Sequence, residues 1–593
     1  MTRTPLRPLA RILEARSRGE NPDAIERENI RLRHEEMRDR ARRRAEGRLL
    51  VLAALFFCAF GLVGGRMALL AHSEPGEPRT SVAGARILAQ RADITDRAGR
   101  ILATNFDTHS LYAQPPDMVD PEHAADKLVE IFPGLDRARL IRDFTGDRKF
   151  LWIRKTISPE QQQAVHDIGE PGLLFGPREM RLYPNGRLAA HVLGGASFGR
   201  EGVHAAEVVG VAGIEKFLDE RLRDPARAHE PLTLSLDLSV QAAMEQVLNG
   251  GMRIMNAKGA SGILMEARTG EVVAVASLPD FDPNDRPALP TSGNPDDSPL
   301  FNRAVQGVYE LGSVFKVFAI AQAMDLGLIN ADTKINTETP LTWGRFRIRD
   351  FRNYGPELSA AKVIVKSSNV GTARVAMEIG ATRQKAFLGE LGFMEASPLE
   401  ITEASGSKPL LPRNWSEIST MTISYGHGLS TSPMHLAAAY ATIANGGRRI
   451  VPTLLRDDAN APGPRVMSEA TASAMRKMLR EVVTEGTASL GEVEGYAVGG
   501  KTGTADKPKP TGGYYDDKVI STFAGMFPAD NPRYVLVVTL DEPVETSGET
   551  PRRTAGWTAV PVAAEMIRRV APLMGLRPAI EPLDLAGIRQ ASN

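Results

Sequence analysis

An uncharged apolar run of 17 residues, Leu49 to Gly65, constrains this chain more than any other feature. Arg66 interrupts the run and Met67 to Ala71 extends it, giving roughly the 20 residues that a helix needs to cross a bilayer. A buried core helix usually keeps a polar face. A cleaved signal peptide has a shorter charged region before it and an A-x-A site after it. We therefore predict one uncleaved transmembrane helix over residues 49–71.

The charges that flank this run predict its orientation. Arginines crowd its N-terminal side, namely Arg38, Arg40, Arg42, Arg43, Arg44 and Arg48. The positive-inside rule then places residues 1–48 in the cytoplasm and the chain beyond residue 71 outside it. The tail mixes arginine with acidic residues and has few apolar ones, which favours a largely disordered segment. A partner-binding helix within the tail is the alternative.

Composition narrows the classes of function. A length of 593 residues predicts two to four structural units. Formal net charge is zero, so no global field favours nucleic acid, and we expect no nucleic-acid partner. Cys58 is the single cysteine of the sequence, which rules out an intrachain disulfide. No cluster with metal-ligand spacing occurs, and we expect neither a metal nor a cofactor.

In the part of the chain after the predicted span, the sequence pattern changes near residue 231, from short mixed segments to longer strand and helix patterns. Residues 72–82 are typical of a linker, and short mixed segments follow from about 85 to 225. The elements predicted after residue 231 are a strand at Leu232–Asp237, a helix from Ser239, a hairpin over Ser261–Ser277, a helix from Ser313 to about Leu326, strands at Ser521–Phe527 and Arg533–Leu540, and a helix at Val560–Val570. An antiparallel sheet with helices on its faces is the natural arrangement of these elements.

Three short patterns carry the chemistry: S-x-x-K at Ser313–Lys316, S-x-N at Ser367–Asn369 and K-T-G at Lys501–Gly503. Each is weak alone. S-x-x-K recurs at Ser359–Lys362 and Ser405–Lys408, whereas K-T-G occurs once.

Context selects one set of these patterns. Apolar residues surround Lys316 on all sides, so the segment reads as a buried helix with Ser313 in its first turn. A buried lysine is costly unless it has a role or a partner. Ser359 lies too close to Ser367 to leave room for a helical subdomain, and Ser405 follows the S-x-N element. Lys501 follows Gly499 and Gly500, where small residues would let a substrate backbone approach.

In combination with their flanks, these patterns resemble the class B penicillin-binding proteins. The matching stretches are Tyr309–Lys316, Lys366–Gly371, Ser424–Leu429 and Gly500–Ala505, with Arg91–Ala103, Arg181–Gly186, Ala190–Gly194 and Gly210–Glu215 upstream. Ser368 stands where class A β-lactamases have Asp, a departure that is similar to the transpeptidase branch.

The resemblance implies an α+β fold. It comprises a single transmembrane helix, an elongated mixed α/β pedestal domain, and a transpeptidase domain like that of serine β-lactamases, with a central antiparallel sheet flanked by helices. The implied segments are a cytoplasmic tail (1–48), the span (49–71), the pedestal (72–228), the transpeptidase domain (229–575) and a C-terminal tail (576–593).

The resemblance also implies roles for the site residues. Ser313 would attack the penultimate D-Ala of a peptidoglycan stem peptide, with Lys316 as its base because burial and Lys501 depress its pKa. Ser367 would relay the proton and Asn369 would hold the substrate amide. Thr502, Gly503 and Thr504 would form the substrate-binding stretch, with both threonine hydroxyls on the substrate carboxylate. The backbone N–H groups of Ser313 and Thr504 would form the oxyanion hole. A helix-cap role for Ser367 and Asn369 is the structural alternative.

The implied protein is a cross-linking D,D-transpeptidase of the bacterial inner membrane, with its N-terminus cytoplasmic and its catalytic domain periplasmic. Its implied partners are stem peptides, β-lactams, a membrane-embedded glycan polymerase and other division proteins. Lys366–Gly371 and Ser521–Asp530 are more similar to septal enzymes than to elongation enzymes. The alternatives are an elongation enzyme, a carboxypeptidase or β-lactamase, and a non-catalytic sensor.

Outside the site, a structural role is favoured for the remaining polar motif residues. In the pedestal motifs we expect Arg91, Asp93, Asp96 and Arg97 to form ion pairs that fix a turn. His191 and His427 are expected to pack or to form hydrogen bonds.

Overall fold

The computed structural model describes residues 7–72, 91–201, 206–456, 462–509 and 512–579. The chain divides into two compact units, residues 1–79 and 80–593. The first unit contains helix α1 (Arg7–Ser17) and the 50-residue helix α2 (Asp23–His72).

The prediction of a disordered tail is wrong over residues 7–17 and 23–48, which are helical. Opposite charges stand one helical turn apart there, as in the pairs Glu14–Arg18 at 2.6 Å and Arg31–Glu35 at 3.3 Å. Such pairs stabilise a helix by a few tenths of a kcal/mol each, which favours a helix in this charged segment.

The apolar run lies within α2. Among the residues that the structure describes, no helix is both long enough and apolar enough to cross a membrane. Of the linker expected at 72–82, residues 73–82 lie outside the described residues, as do residues 580–593 of the C-terminal tail.

The second unit begins with the pedestal. Its elements are β1 (Ile94–Thr95), β2 (Ile101–Ala113), a 3₁₀ turn (Pro115–Asp117), α3 (Pro121–Ile131), α4 (Arg137–Thr145), β3 (Leu151–Ile157), α5 (Pro159–His166), β4 (Leu173–Leu182), α6 (Ala190–Leu193), β5 (Gly195–Glu201), β6 (Ala206–Ala212), α7 (Gly213–Phe217) and α8 (Asp219–Leu222).

The long strand β2 organises the pedestal, since it pairs antiparallel with β1, β3 and β4. Helices α3, α4 and α5 bury a small core of their own against it, which includes Leu111, Leu128, Phe132 and Phe144. Strands β5 and β6 form a separate hairpin. The part of the pedestal formed by β2, β3, β4 and helices α3 to α5 thus has a hydrophobic core separate from that of the rest of the second unit.

Buried ion pairs fix the base of the pedestal. Arg91 binds Glu215 at 2.5 Å and Asp219 at 2.6 Å, and Arg181 binds the other oxygen of Glu215 at 2.7 Å. Further along, Arg97 binds Glu271 at 2.5 Å.

Asp96 accepts hydrogen bonds from the Ala98 and Arg100 backbone and pairs with the Arg100 guanidinium at 2.6 Å. The structural role expected for Arg91, Asp96 and Arg97 is confirmed. Asp93 contributes through its backbone carbonyl, which accepts from Leu232 N.

The remaining elements belong to the larger part of the second unit, which follows the pedestal. They are β7 (Leu232–Thr233), α9 (Leu238–Ile254), β8 (Gly259–Glu266), β9 (Val272–Leu278), 3₁₀ turns (Pro283–Asp285, Pro295–Asp297 and Gly312–Phe315), α10 (Lys316–Asp325), β10 (Lys334–Asn336), β11 (Leu341–Trp343), β12 (Phe346–Ile348), β13 (Glu357–Ser359), α11 (Ala360–Lys366), α12 (Asn369–Ile379), α13 (Ala381–Glu390), α14 (Thr402–Ser405), α15 (Glu417–Ser424), α16 (Pro433–Ala444), α17 (Glu469–Thr484), a 3₁₀ turn (Ser489–Gly491), β14 (Gly499–Pro508), β15 (Tyr514–Phe527), β16 (Tyr534–Asp541) and α18 (Ala559–Leu573).

A five-stranded antiparallel sheet in the order β14-β15-β16-β8-β9 forms the centre of this part. The predicted β8–β9 hairpin, the β15–β16 pair and the final helix are all confirmed. Helices α9 and α18 pack on the sheet and on each other, and α16 packs on β8, β15 and β16. Nearly all side chains of β8, β9 and β16 are buried, as expected for a sheet covered by helices.

Strand β7 lies beyond the expected pedestal boundary at residue 228. It pairs in parallel with β1 and so belongs to the pedestal sheet. The predicted strand at Leu232–Asp237 is therefore short, because the chain turns after two residues into the cap of α9, where Asp237 accepts from Ser239 N. One hydrophobic core extends from the contact between β1 and β7 into the larger part of the unit.

Candidate active site

Ser313 lies in a 3₁₀ turn, Gly312–Phe315, that leads directly into α10. The sequence predicted an α-helix from Ser313, and the α-helix begins instead at Lys316. The tighter turn follows from a close backbone contact: Gly312 has φ +62°, and a Cβ there would lie 2.6 Å from the carbonyl oxygen of Thr504. Only glycine fits such an approach without strain.

Lys316 reaches back from the start of α10 to Ser313. Its Nζ donates to Ser313 Oγ at 2.9 Å, to Ser367 Oγ at 2.9 Å and to the Ser367 carbonyl at 2.6 Å. The side chain is fully buried. Desolvation holds the pKa of Lys316 well below its usual range; the like charge of Lys501 adds to this effect, and Asp350 opposes it.

Ser367 connects the two lysines. It caps the C-terminus of α11 in the left-handed region, with φ +63°, a conformation that non-glycine residues rarely adopt outside functional or turn positions. This conformation turns its hydroxyl to accept from both Lys316 and Lys501. The N-cap of α12 is its neighbour Ser368, whose hydroxyl accepts from Gly371 N at 2.9 Å.

Lys501 lies on β14, as predicted, and is fully buried. Its Nζ donates to Ser367 Oγ at 3.0 Å and to the Thr502 carbonyl at 3.1 Å. Burial lowers the pKa of Lys501 to about 7. The Thr502 hydroxyl lies 2.7 Å from that of Thr487, so these two threonines share a hydrogen bond at the cleft.

Strand β14 packs backbone to backbone against the turn Gly312–Phe315, which carries Ser313. A Cβ at Gly503 would clash with the Leu311 carbonyl oxygen. Thr504 Oγ1 accepts from Ala555 N at 3.0 Å, which leaves its hydroxyl proton free to donate elsewhere. The strand is thereby fixed against the turn that carries the nucleophile.

The expectation that Gly499 and Gly500 leave room for a substrate is wrong. A Cβ at Gly500 would lie 2.5 Å from the Phe523 ring, and one at Gly499 would lie 3.1 Å from Ala529. Their small size serves packing within the sheet, a tertiary demand that local sequence does not display.

Asn369 lies at the edge of the cleft, at the start of α12. Its Nδ2 donates to the Arg349 carbonyl at 2.9 Å. Asp350 receives its backbone N–H and that of Val370, and it also accepts from the Ser368 hydroxyl at 2.7 Å. Asp350 thus holds the S-x-N element from outside.

A cleft of about 800 Å³ opens in front of Ser313. Its walls come from segments far apart in sequence: Phe351, Arg352, Asn353 and Tyr354, then Val365, Lys366, Ser367 and Asn369, then Glu485, Gly486 and Thr487, then Thr502 and Thr504, and finally Thr554, Ala555, Gly556 and Trp557. Sequence reasoning missed Asp350, Thr487 and Trp557. They lie in loops outside the motifs, and no local pattern marks them.

The competing S-x-x-K patterns are structural. Ser359 caps α11, and Lys362 forms ion pairs with Glu485 at 2.8 Å and Glu481 at 3.3 Å. Ser405 donates to the Thr402 carbonyl at 2.9 Å. Neither pattern lines the cleft, in agreement with the choice of Ser313.

Both histidines have the packing or bonding role expected of them. His191 is buried against Phe281, and burial lowers its pKa to about 4. His427 Nδ1 lies 3.1 Å from Glu310, whose carboxylate also accepts from Gly428 N and the Tyr514 hydroxyl.

This geometry defines a class of protein. A serine hydroxyl in contact with a buried lysine of depressed pKa, beside a second serine and a second lysine on an edge strand, is the constellation of enzymes that form a serine acyl intermediate with lysine as base.

Comparison with known proteins identifies the family within that class. The model described as penicillin binding protein transpeptidase domain matches residues 260–566, and that described as penicillin-binding protein dimerisation domain matches residues 86–226. The chain belongs to the class B penicillin-binding proteins.

Individual relatives agree. The chain is 33% identical to the probable peptidoglycan D,D-transpeptidase FtsI of Caulobacter vibrioides over 94% of each chain. It is 28% identical to the peptidoglycan D,D-transpeptidase FtsI of Escherichia coli, over 90% of this chain and 92% of the relative. The crystal structure of penicillin binding protein 3 from Mycobacterium tuberculosis, complexed with aztreonam, matches with a TM-score of 0.62 at 26% identity. That match covers 84% of this chain and 98% of the other.

Proposed function

We propose that this protein is a peptidoglycan D,D-transpeptidase that cross-links stem peptides through an acyl-enzyme on Ser313, and that β-lactams acylate the same serine. The observation that carries the proposal is the 2.9 Å contact between Ser313 Oγ and a fully buried Lys316 Nζ. The relatives named peptidoglycan D,D-transpeptidase and the aztreonam-bound neighbour support it.

In the acylation step Ser313 Oγ attacks the carbonyl carbon of the penultimate D-Ala. The Oγ proton passes to neutral Lys316, which its depressed pKa makes available as a base. The C–N bond to the terminal D-Ala then breaks. Its nitrogen receives a proton through the Ser367 hydroxyl, which contacts Lys316.

Charge stabilisation comes from β14 and the nucleophile turn. The backbone N–H groups of Ser313 and Thr504 stabilise the tetrahedral oxyanion. Thr502 and Thr504 bind the carboxylate of the terminal D-Ala, with Gly503 between them and Lys501 supplying positive potential. Asn369 binds the amide of the stem peptide. An amine from a second stem peptide then attacks the acyl carbonyl, forms the cross-link and releases Ser313.

We further propose the segments 1–48, 49–71, 72–228, 229–575 and 576–593, with β7 of the fourth segment completing the pedestal sheet. In this proposal residues 49–71 are a single inner-membrane anchor and the catalytic domain lies in the periplasm. Support comes from the uncharged run inside α2, whose described side chains are largely exposed, Phe57 at 80% and Leu62 at 75% among them. Exposed apolar side chains of this density are typical of a lipid-facing surface.

The cellular role that we propose is construction of the division septum. The FtsI names of relatives and the stretches Lys366–Gly371 and Ser521–Asp530 support it. No family match supplies a domain that makes glycan strands, so a membrane-embedded glycan polymerase and other division proteins are the proposed partners. Depletion should give filaments with unfinished septa. Rounded cells that still divide would indicate an elongation enzyme.

Labelling with fluorescent penicillin tests the catalytic assignment. Ser313→Ala should abolish covalent labelling, whereas the matched variants Ser359→Ala and Ser405→Ala should label like the wild type. Mass spectrometry of the acylated peptide must locate the adduct on Ser313. Rapid release of hydrolysed penicillin from the wild type would indicate a β-lactamase instead, and absent labelling would indicate a non-catalytic sensor.

A further inference from the structure

A small arginine-rich surface lies beside the cleft. Strands β11 and β12 form a hairpin between β10 and α11, and the chain runs on from it to the cleft wall. Within the eight residues 345–352 stand four arginines, Arg345, Arg347, Arg349 and Arg352. All four are exposed. We call residues 341–352 the arginine hairpin.

Within the described part of the chain, the arginines of the hairpin form no ion pairs. Among the described residues, no carboxylate lies within 4.0 Å of any of the four guanidinium groups. Arg345 instead lies over the Phe346 ring at 5.2 Å and Arg352 over the Phe351 ring at 5.9 Å. Exposed arginine stacked on aromatic rings is held ready for planar anions such as carboxylates.

Aromatic side chains share this surface. Trp343 is 38% exposed, Phe346 is 44% exposed and Phe351 is 84% exposed. Single exposed apolar residues need no explanation, but three large rings interleaved with four arginines match the composition of binding surfaces.

The hairpin is anchored to the catalytic machinery. Ile348 is buried and packs with Val370, Ala373 and Met421 in a small core of its own. The Arg349 carbonyl accepts from Asn369 Nδ2. The surface therefore has a fixed position beside the S-x-N element.

The hairpin also continues into the cleft. Phe351 and Arg352 belong to the wall that faces Ser313, and Lys366 adds a further cation to that wall. A polymer lying in the cleft must leave it on some side, and on this side it meets cations and ring faces. A polymer that carries carboxylates complements this surface.

We propose that the arginine hairpin binds an un-cross-linked peptidoglycan strand outside the cleft, with the arginines on carboxylates of its stem peptides and the rings on its sugars. This inference rests on the proposed transpeptidase function. Binding energy from parts of a substrate remote from the reacting bond orients that bond, so the hairpin would select polymeric substrate over a free peptide. A β-lactam is too small to span both the cleft and the hairpin.

The test compares two readouts on the full-length chain in detergent. One is co-sedimentation with purified sacculi that carry pentapeptide stems; the other is the rate of acylation by fluorescent penicillin. The test variant is Arg345→Gln/Arg347→Gln/Arg349→Gln. The matched control, Arg253→Gln/Arg268→Gln/Arg413→Gln, removes three exposed arginines elsewhere on the catalytic part.

The hairpin variant should bind pentapeptide sacculi about 5- to 20-fold more weakly, as expected for the loss of three exposed charge pairs. Its acylation rate should stay within about twofold of the wild type. The control variant should match the wild type in both readouts. An amidase removes the stem peptides with their carboxylates and leaves one lactyl carboxylate on each muramic acid, so on such sacculi the difference in binding between wild type and hairpin variant should shrink.

Sacculus binding by the hairpin variant equal to that of the wild type overturns the proposal, whatever else the hairpin binds. If the triple variant also loses acylation, the single variants Arg345→Gln and Arg347→Gln, both outside the cleft wall, replace it and the same comparison decides. Failure of wild-type protein to be acylated at Ser313 would instead refute the proposed function.

Discussion

Two of the groups of charged side chains that the second unit buries are built in opposite ways. At the base of the pedestal, Arg91 and Arg181 share the carboxylate of Glu215 at 2.5 and 2.7 Å. In the cleft, Lys316 and Lys501 donate to hydroxyl and carbonyl oxygens. Among the described residues neither lysine has a carboxylate at ion-pair distance. The paired group holds the structure through its ion pairs, whereas desolvation lowers the pKa of both lysines of the unpaired group, as proton transfer requires.

The largest effect is expected in the unpaired group, at the lysine proposed to act as the base. Lys316→Ala should lower the second-order rate of penicillin acylation by at least about 10³-fold, because the base is gone. Lys316→Arg should be nearly as damaging, since a guanidinium stays protonated. The matched variant Lys362→Ala, in the competing S-x-x-K, should acylate normally. Near-normal acylation by the arginine variant would exclude Lys316 as the base.

Breaking the paired group should affect stability instead. Glu215→Gln leaves two buried guanidinium groups without their shared carboxylate and should cost about 3–5 kcal/mol of unfolding free energy. Acylation per folded molecule should stay within about twofold, which separates this effect from that of Lys316. Asp126→Asn removes an exposed pedestal partner of Arg137 and is the control, with little expected change. Denaturant unfolding measures the difference, and a stable Glu215→Gln protein would show that the cluster is dispensable.

At Lys501 a substitution should change the free energy of unfolding in the opposite direction. Replacing a buried, unpaired ammonium by an apolar side chain, Lys501→Met, should stabilise the fold by about 1–4 kcal/mol while abolishing activity. The pKa of Lys501 is about 7 when folded against an ordinary 10.5, so between these values the unfolded chain binds more protons and wild-type stability rises with pH. The advantage of the Met variant is therefore largest below pH 7 and shrinks toward pH 10.5. Paired melts at pH 6 and 9 would reveal a constant difference if this reasoning is wrong.

The smallest effect separates the two kinds of serine. Ser359→Ala removes the N-cap of α11 and should cost about 0.5–2 kcal/mol, with unchanged penicillin labelling. Ser359→Asp, which can also cap, should recover most of that loss in thermal unfolding. A loss of labelling greater than the loss of folded protein would show that Ser359 takes part in acylation.

How far the sequence predicts this molecule depends on the range of the forces involved. Alternating apolar residues and turn glycines predict the β8–β9 hairpin because pairing there is local. The motif residues Ser313, Ser367 and Lys501 could be grouped because each lies in a short recognisable pattern, and the structure brings their side chains together through Lys316.

The features that the sequence did not predict depend on contacts between segments far apart in the chain. The 3₁₀ turn at Ser313 requires the Thr504 backbone against Gly312. Asp350 acts on α12 from 18 residues or more before it, and Trp557 reaches the cleft from a loop after β16. No periodicity or spacing within a segment reports such contacts.

The backbone contact at the nucleophile turn also limits how this protein can become resistant to β-lactam drugs. Gly312, Gly426 and Gly503 each leave room for a neighbouring carbonyl. A side chain at Gly312 or Gly503 would drive the turn and β14 apart, and one at Gly426 would displace the turn at Gly312. Such a change would remove the drug's site and the substrate's site together. We therefore expect selection for resistance to act on the outer walls of the cleft, such as Phe351, whose side chain is 84% exposed and can change without moving the turn.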